Sequence, residues 1–342
     1  MSGTHHTVAI AQAQRMLQGA RHQGYDVDRI LHRAGISRAL LDSDTARISQ
    51  TQCTALVRVL VRVMRDEFWG LCDTPVRFGS FGAACDAMVQ CTHLGEAIRA
   101  GLRHYHLMLD DFTGRLQVQD GVAEVALFER VPWHARHAYA QSTFLFCGSG
   151  LLSWLVARKL PLIDVRMRNT KTAFNNKTHR LFDAPILFGQ PRAGIRFDAR
   201  WLELPVVQNA QSLQAFLRSA PANLLVKYRD QTSATERIRQ LLRKHMGERI
   251  LTLEEASSML AMTPQTLRRR LLLEGQGFQA IKDDLRRDMA IEYLSRPDLT
   301  VLDISALVGF SEPSTFQRAF KGWTGVAPGE YRQTRLEQLP PG

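Results

Sequence analysis

The sequence ISALVGFSEPSTFQRAFK, residues 304–321, predicts two short helices joined by a tight turn. Just before it, Thr300 and Asp303 have the spacing of a capping box, in which each side chain bonds to the backbone of the other residue at the start of the first helix. Gly309 can adopt the left-handed conformation that ends this helix, and Pro313 favours the first turn of the next. The stretch therefore has the pattern of a helix-turn-helix unit.

A second copy of this pattern lies 48 residues earlier in the chain. Thr252 and Glu255 form an equivalent capping box, and Pro264 follows a second helix start signal. Ala261 occupies the position of Gly309, and a left-handed alanine would cost about 1 kcal/mol, so we expect the first turn to be shaped slightly differently. The internal repeat predicts two helix-turn-helix units in the last third of the chain.

The second helix of each copy has an apolar face and a polar face. Leu267 and Leu271 point inward in the first copy, and Phe316 and Phe320 do so in the second. The polar faces suit readout of the DNA major groove, where arginine binds guanine and glutamine binds adenine. An isolated run of arginines is more often a solvated helix face, but two phased copies favour DNA reading.

Between the copies, Phe278, Ile281, Leu285 and Met289 recur at helical spacing and predict an amphipathic helix that ends before Arg296. A rigid connector would fix the distance between the two reading helices. Two units that enter successive major grooves on one face of DNA need centres ~34 Å apart, and a single chain can impose this distance without dimerising.

The stretch from about residue 236 to residue 332, including TGVAPGEYR at 324–332, resembles the DNA-binding domain of AraC-type (AraC/XylS) transcription regulators. The resemblance implies an all-α reader of asymmetric promoter sites, commonly an activator that contacts RNA polymerase. By matching position it implies base-facing roles on both second helices, and Lys321 suits a phosphate better than a base. The expected DNA-binding residues are Gln265, Thr266, Arg268, Arg269, Ser314, Gln317, Arg318 and Lys321.

The region before residue 229 is predicted to be mixed α/β. The helical patterns cover residues 8–20, 51–64 and 135–160, and the strand patterns cover 106–111, 115–120, 122–129, 164–168 and 194–197. Thr113-Gly114 and Asp120-Gly121 supply turn residues, which favours an antiparallel meander. The fold class is thus a mixed α/β N-terminal domain followed by an all-α domain with two helix-turn-helix units.

The sequence LFDAPILFGQPRAGIRFD at residues 181–198 resembles the arabinose-binding-like sensor domain of one branch of these regulators. That resemblance implies a domain that binds a small effector, mediates dimerisation, or does both, and the family name does not show that the ligand is a sugar. Strong helix start and stop signals begin near residue 230. We therefore divide the chain into residues 1–229 for sensing and dimerisation and residues 230–342 for DNA binding.

The composition and the net charge indicate which kind of binding partner to expect. The 342 residues carry a formal net charge of +11, with 28 basic and 18 acidic side chains before residue 230 and 16 and 15 after it. The basic excess suggests a polyanionic partner, but most of it lies outside the predicted reader. In the front domain it is either a scattered solvated surface, which we favour, or an anionic effector pocket lined by arginines such as Arg166, Arg168 or Arg196. No stretch approaches ~18 apolar residues, so we expect no membrane span and a cytoplasmic location.

Other candidate sites are weaker. His104 with His106 on a strand, or His134 with His137 on a helix, could begin a metal site, but no third and fourth ligands are evident, so we expect no metal. Five cysteines form an odd set without a CxxC pair. No Walker loop, nucleophile elbow or paired catalytic carboxylates occur, so we expect neither an enzyme nor a cofactor.

Two alternatives remain open. One is an enzyme or a cysteine-based redox sensor fused to a DNA reader, with Cys85 and Cys91 as the redox pair, although packing is the favoured role of both thiols. The other is a constitutive DNA-binding protein whose front domain only dimerises. The first predicts turnover or a cysteine-dependent response, and the second predicts no effector dependence.

Overall fold

The structure is a computed structural model that describes residues 7–42, 46–169, 182, 184–218, 224, 234–246, 251–273, 277–294 and 296–336. The chain folds as two compact units. The helical unit comprises Met1–Gln14, Asp28–Leu56 and Arg229–Gly342, and the α/β unit comprises Arg15–Val27 and Val57–Tyr228. The predicted boundary at residues 229 and 230 lies outside the described residues.

The elements follow the order that the sequence periodicity indicates. In chain order the described helices are α1 (Ile10–Met16), α2 (Gln18–His22), α3 (Val27–Arg33), α4 (Gln50–Met64), α5 (Ser80–Val89), α6 (Leu94–Met108), α7 (Ala135–Leu155), α8 (Ala210–Leu217), α9 (Ala234–His245), α10 (Leu253–Met259), α11 (Pro264–Leu273), α12 (Phe278–Tyr293), α13 (Val301–Leu307), α14 (Pro313–Thr324) and α15 (Pro328–Leu336). The described strands are β1 (Thr7–Ala9), β2 (Arg47–Ser49), β3 (Phe112–Gln119), β4 (Val122–Glu129), β5 (Leu162–Arg166), β6 (Ile186–Leu187) and β7 (Gly194–Asp198). The predicted fold class is confirmed.

The α/β unit is built on a five-stranded sheet in the order β3-β4-β7-β5-β6. All pairs are antiparallel except β5 with β6. β3 and β4 form the predicted hairpin, and its turn residues Asp120 and Gly121 have φ of 49° and 77°. Two consecutive positive φ angles are typical of the turn that matches the twist of a two-residue hairpin.

One predicted strand was wrong. Residues 106–111 do not form a strand, because α6 continues to Met108, and Thr113-Gly114 lie inside β3 rather than in a turn. The buried residues Ala97, Ile98 and Gly101 already follow helical spacing, and the helix carries that period onward. The predicted meander is therefore a single hairpin that pairs with β7.

Several element ends also differ from prediction. The pattern over residues 8–20 divides into β1, α1 and α2, and the helix expected to reach residue 160 ends at Leu155. α2 packs backbone to backbone on a neighbouring loop, since a Cβ at Gly19 would lie 1.9 Å from the carbonyl oxygen of Trp69. The helix over 51–64 and the strands over 115–120, 122–129 and 194–197 agree with the structure to within a few residues.

The helical unit combines helices α9 to α15 with two segments from the start of the chain. β1 and β2 pair antiparallel, and β2 packs on α12 together with α9, α13 and α14. The hydroxyl of Tyr331 donates to the carbonyl oxygen of Arg47 at 3.1 Å. Strand β2 and the C-terminal helices thus share one hydrophobic core, an arrangement that local sequence patterns did not predict.

No helix in the described part of the chain combines the length and the apolar character needed to cross a bilayer.

Candidate nucleic-acid interface

The first helix-turn-helix unit consists of α10, a short turn and α11. The Thr252 side chain accepts the backbone N–H of Glu255 at 3.2 Å, and the Glu255 carboxylate accepts the N–H of Thr252 at 2.8 Å, which confirms the capping box. Ala261 has φ of 53°, so the turn does require a left-handed alanine. Leu267 and Leu271 are fully buried, and they anchor α11 in the core.

The second unit, α13 with α14, has the same construction and a larger aromatic core. Thr300 and Asp303 form the predicted capping box, and Gly309 has φ of 77° at the turn. Phe316 and Phe320 are fully buried with ring centroids 5.7 Å apart. Both inward-facing pairs of side chains therefore match the expectation from the repeat. The expected difference in shape between the two turns was wrong, because Ala261 adopts the same left-handed conformation as Gly309.

The connecting helix α12 holds the second turn directly. The Arg286 guanidinium donates to the carbonyl oxygen of Gly309 at 3.1 Å and lies 4.7 Å from the ring centroid of Phe310. Burial lowers the pKa of Arg286, which shows that its charge is partly removed from water. α12 is thus a packed connector whose side chain fixes the geometry of the turn before α14.

A buried cluster of charges fixes the opposite side of α12. Arg239 of α9 is only 5% exposed and lies 3.5 Å from Asp284 and 3.6 Å from Asp288, whereas Arg287 reaches the same two carboxylates at 2.8 Å and 3.1 Å. Arg47 of β2 joins them, and burial, with Arg287 as the next cause, lowers its pKa to about 10. Removing one partner from such a cluster leaves an uncompensated buried charge.

The polar faces of α11 and α14 are open. Seven of the eight predicted DNA-binding residues are exposed: Gln265, Arg268, Arg269, Ser314, Gln317, Arg318 and Lys321. Within the described residues, none of the four cations on these faces forms a salt bridge. An exposed cation that is not neutralised by a neighbouring carboxylate can bind a phosphate or a base edge.

Thr266 differs from the other predicted residues. Its side chain is half-buried, and its hydroxyl accepts a hydrogen bond from the Thr263 hydroxyl at 2.9 Å. The N–H of Thr266 also donates to the Thr263 hydroxyl at 3.2 Å. Thr266 therefore takes part in the cap that starts α11, and its hydroxyl is less open to DNA than the neighbouring side chains.

The histidine pair of α7 lies beside two carboxylates that the sequence did not connect with it. Ligand atoms of Asp73, Asp111 and His137 lie within 4.8 Å of one another, and His137 Nε2 is 2.8 Å from Asp111. However, His137 Nδ1 accepts the backbone N–H of His134 at 3.3 Å, so this ring nitrogen is used by the start of α7. The backbone N–H groups of Asp73 and Thr74 also donate to Asp111. His137 and Asp111 together therefore help to hold the loop that contains Asp73 and Thr74.

The second histidine pair was placed on the wrong element. His104 and His106 lie on helix α6 and not on a strand. His106 Nδ1 is 3.0 Å from the Thr113 hydroxyl, which ties the end of the helix to β3. This contact gives His106 a structural role.

The cysteines are poor candidates for redox chemistry. All five are free thiols, and Cys53, Cys72 and Cys85 are buried. Burial raises the pKa of Cys85 to about 12 and also raises the pKa of Cys91. Since the thiolate is the reactive form, these shifts argue against the alternative of a cysteine-based sensor.

The arginines proposed to line an anionic pocket are paired with carboxylates. Arg196 grips Asp164 through two nitrogens, Arg166 lies 3.2 Å from Glu124, and Arg168 lies 3.2 Å from Glu129. Each pair joins neighbouring parts of the sheet. These three guanidinium groups are therefore already compensated by carboxylates, which argues against a ready anion site formed by them.

The fold and the two helix-turn-helix units define a DNA-binding transcription regulator, and comparisons with known proteins agree. Residues 24–206 match the arabinose-binding domain of AraC transcription regulator, N-terminal, and residues 256–334 match a helix-turn-helix domain. The first match alone spans more than half of the chain. The chain belongs to the AraC family of transcription regulators.

Relatives cover the chain to different extents. The ornithine utilization regulator of Pseudomonas aeruginosa is 26% identical over 328 residues, which are 95% of this chain and 96% of that protein. The urease operon transcriptional activator of Escherichia coli is 35% identical over 89 residues, 26% of this chain and 30% of its own. The crystal structure of the transcriptional regulator CdpR from Pseudomonas aeruginosa covers 97% of this chain and 99% of its own, with 19% identity and a TM-score of 0.33.

Proposed function

We propose that this regulator is a ligand-responsive transcription activator that reads two successive major-groove segments of promoter DNA with α11 and α14. In this proposal residues 230–342 form the reader, and residues 1–229 bind a small effector and mediate dimerisation. RNA polymerase is the protein partner at the promoter. An activator role is supported by the similarity to a protein named the urease operon transcriptional activator.

The observation that carries the proposal is the equivalent placement of Arg269 and Arg318. Both side chains are exposed, and both helices are anchored by fully buried residues on the opposite face. Arginine at such a position can bind O6 and N7 of guanine through two parallel hydrogen bonds. Gln265 and Gln317 offer the matching interaction with adenine on the same two faces.

The connector supports readout of two grooves. α12 has 16 residues and is therefore about 24 Å long. This is about 10 Å less than the ~34 Å that separates successive major grooves on one face of DNA, so the segments at the two ends of α12 must supply the rest. Both of its sides are held, by Arg286 at the second turn and by Arg239 in the buried charge cluster. A held connector keeps the spacing of the two reading helices constant, so the protein should select the spacing between its two half-sites.

The effector part of the proposal is supported by a pocket in the α/β unit. This partly open pocket has a volume of about 110 Å³ and is lined mainly by apolar side chains. Apolar clefts and cavities with a few polar groups are the usual form of small-molecule sites. A folded sensor with such a cavity gives ligand binding a means to change the stability of the unit that contains it.

The test is a gel-shift series with the full chain on a duplex selected from a random-sequence library. Arg269→Ala and Arg318→Ala should each weaken binding to the selected duplex and broaden the preference at one base pair. Arg158→Ala is the matched control, because that side chain is exposed, carries the same charge, forms no salt bridge among the described residues and lies in the α/β unit. Equal losses for all three variants would contradict base reading and indicate only a general effect of charge.

A further inference from the structure

Four potential metal ligands meet at the start of helix α7. His137 lies in the first turn of this helix, and His134 lies immediately before it. Asp111 immediately precedes β3, and Asp73 lies in the loop between α4 and α5. The two histidines lacked a third and a fourth ligand in the sequence, and the folded chain supplies two carboxylates. Two imidazole nitrogens and two carboxylate oxygens are a donor set that zinc accepts.

The ligand atoms have separations that suit a single ion. His137 Nε2 lies 2.8 Å from Asp111 Oδ2 and 3.9 Å from Asp73 Oδ2. His134 Nε2 also lies 3.9 Å from Asp73 Oδ2. In a tetrahedral zinc site, bonds of about 2.1 Å place neighbouring ligand atoms roughly 3.4 Å apart. The observed distances lie on both sides of this value, so small shifts bring Asp73, Asp111 and His137 onto one ion.

The buried ring of His137 is the observation that points to a bound cation. Its side chain is 1% exposed, and Nε2 has no hydrogen-bond partner among the described residues. The Asp111 oxygen is close to Nε2, but the contact lacks the geometry of a hydrogen bond. A buried nitrogen without a partner is unfavourable, and two electron-rich atoms at this distance repel each other unless a cation lies between them. A metal ion bound by both atoms would remove both unfavourable terms.

Asp111 is prepared to act as an anionic ligand. Its side chain is fully buried, and burial opposes its ionisation. The pKa of Asp111 nevertheless lies below its ordinary value, because His137 and the backbone N–H groups of Asp73 and Thr74 stabilise the charged form. These N–H groups donate at 2.7 Å and 3.3 Å. Carboxylates that bind metals are commonly held by such hydrogen bonds, which fix their orientation.

The two oxygens of Asp73 face different partners. Oδ1 accepts a hydrogen bond from the Arg136 guanidinium at 3.1 Å, whereas Oδ2 faces both histidines. Arg136 therefore orients the carboxylate and leaves one oxygen for the metal. The ionised carboxylates of Asp73 and Asp111 together neutralise the two charges of a zinc ion.

Metal binding requires one change at His137. Its Nδ1 accepts the backbone N–H of His134 at 3.3 Å, which is a long hydrogen bond. A neutral ring that binds zinc through Nε2 carries its proton on Nδ1, so this hydrogen bond is lost when zinc binds. One long hydrogen bond is weaker than a zinc–imidazole bond, so the exchange favours the metal. The exposed side chain of His134 can rotate to become the fourth ligand.

We propose that Asp73, Asp111, His134 and His137 form a zinc site, which ties together the loop after α4, the start of β3 and the start of α7. Four protein ligands leave no open position on a tetrahedral ion, so the site is structural and not catalytic. Bound zinc should stabilise the α/β unit, because the folded chain presents the four ligands together and the unfolded chain does not. Neither an effector nor DNA takes part, so the inference does not depend on the proposed function.

Calorimetry with the full chain, after dialysis against EDTA and then against metal-free buffer, tests the site. Titration with ZnCl₂ should show one tight site per chain, and the Tm should rise when zinc is bound. Co²⁺ is the spectroscopic probe, because tetrahedral Co²⁺ absorbs visible light and a thiolate ligand adds a charge-transfer band in the near ultraviolet. The first equivalent of Co²⁺ should give the visible bands without the thiolate band. Failure to bind Zn²⁺, or a thiolate band from one of the five cysteines, would overturn the inference.

Variants locate the ion. His134→Ala and Asp73→Asn change exposed side chains, and each should weaken Zn²⁺ binding by about tenfold or more and reduce the rise in Tm. His22→Ala is the matched control, since His22 is an exposed histidine on α2 of the same unit and forms no salt bridge among the described residues. The double variant His5→Ala/His6→Ala controls for the adjacent histidines near the start of the sequence. Both controls should bind Zn²⁺ as the unaltered chain does. Full affinity in His134→Ala or in Asp73→Asn would place the ion elsewhere and contradict the inference.

Discussion

The two helix-turn-helix units share a backbone plan and differ in how it is stabilised. The first has a left-handed alanine, Ala261, at its turn and two leucines behind α11. The second has Gly309 at its turn and two buried phenylalanines behind α14. Both turns thus have the same left-handed backbone conformation. Only the second unit has a glycine there, which adopts this conformation without steric strain.

The second unit is also tied more closely to the rest of the helical core. Phe310 packs against Phe316 and Trp323, with ring centroids 5.7 and 6.0 Å apart, and Phe320 packs edge-on against Tyr331. The first unit instead concentrates charge, since Arg268, Arg269 and Arg270 are consecutive and exposed. The comparison suggests that the second unit supplies rigidity and that the first supplies much of the electrostatic attraction to DNA.

The largest expected effect is on stability, and it tests whether the aromatic core makes the second unit the more rigid one. Phe320→Ala should lower the free energy of unfolding by about 3–5 kcal/mol, because it leaves a large cavity among packed rings. Leu271→Ala, at the matched position in α11, should lower the free energy of unfolding by less, because the side chain that is removed is smaller. Urea unfolding of both variants, followed by helical circular dichroism, measures the difference. An equal or larger loss for Leu271→Ala would contradict the comparison.

The next effect concerns DNA reading, in which the two units should be equal. Arg269→Ala and Arg318→Ala should each cost about 1–3 kcal/mol of specific binding, and each should relax preference at a different base pair. Competition gel shifts against single-base variants of the selected duplex give both quantities. If only one of the two variants changes base preference, the other unit positions the protein without reading bases.

A smaller effect, of about 1 kcal/mol in each direction, should follow from exchanging the turn residues. Ala261→Gly relieves the left-handed alanine and should stabilise the chain, and Gly309→Ala introduces the same strain and should destabilise it. Thermal unfolding of the two variants checks the signs. Destabilisation by both substitutions would show that Ala261 makes a contact that outweighs the strain.

The smallest effect is expected at the edge of the second face. Lys321 lies near the end of α14. Lys321→Ala should weaken binding to all DNA sequences by the same factor. It should also reduce the slope of log Kd against log salt concentration by about 1, the value for one phosphate contact. Titrations at several salt concentrations, with specific and random duplexes, measure this change. A loss confined to the specific duplex would assign Lys321 to a base.

Local signals made the helical unit predictable. Thr252, Thr300 and Gly309 act within a few residues of their own position, so caps and turns could be placed from the sequence, and the inward positions of Leu267 and Phe316 followed from helical spacing. The repeat then related the two units to each other. DNA contacts by the exposed side chains stay predictions, because they depend on a partner.

Long-range pairings were not predictable in the same way. The strand expected at residues 106–111 was wrong because a stretch of six residues, HLMLDD, is too short for its pattern to distinguish a strand from a helix end. Arg47 joins the charge cluster on α12 although it lies more than 200 residues away in sequence. Asp111 likewise meets His137 across elements that no local pattern connects.

Footprinting of the full chain on its selected duplex tests whether both helix-turn-helix units read DNA. Two protected major-groove segments are expected on one face of the DNA, centred about 10 base pairs apart, with one segment lost in Arg269→Ala and the other in Arg318→Ala. A single protected segment that neither substitution alters would contradict this expectation.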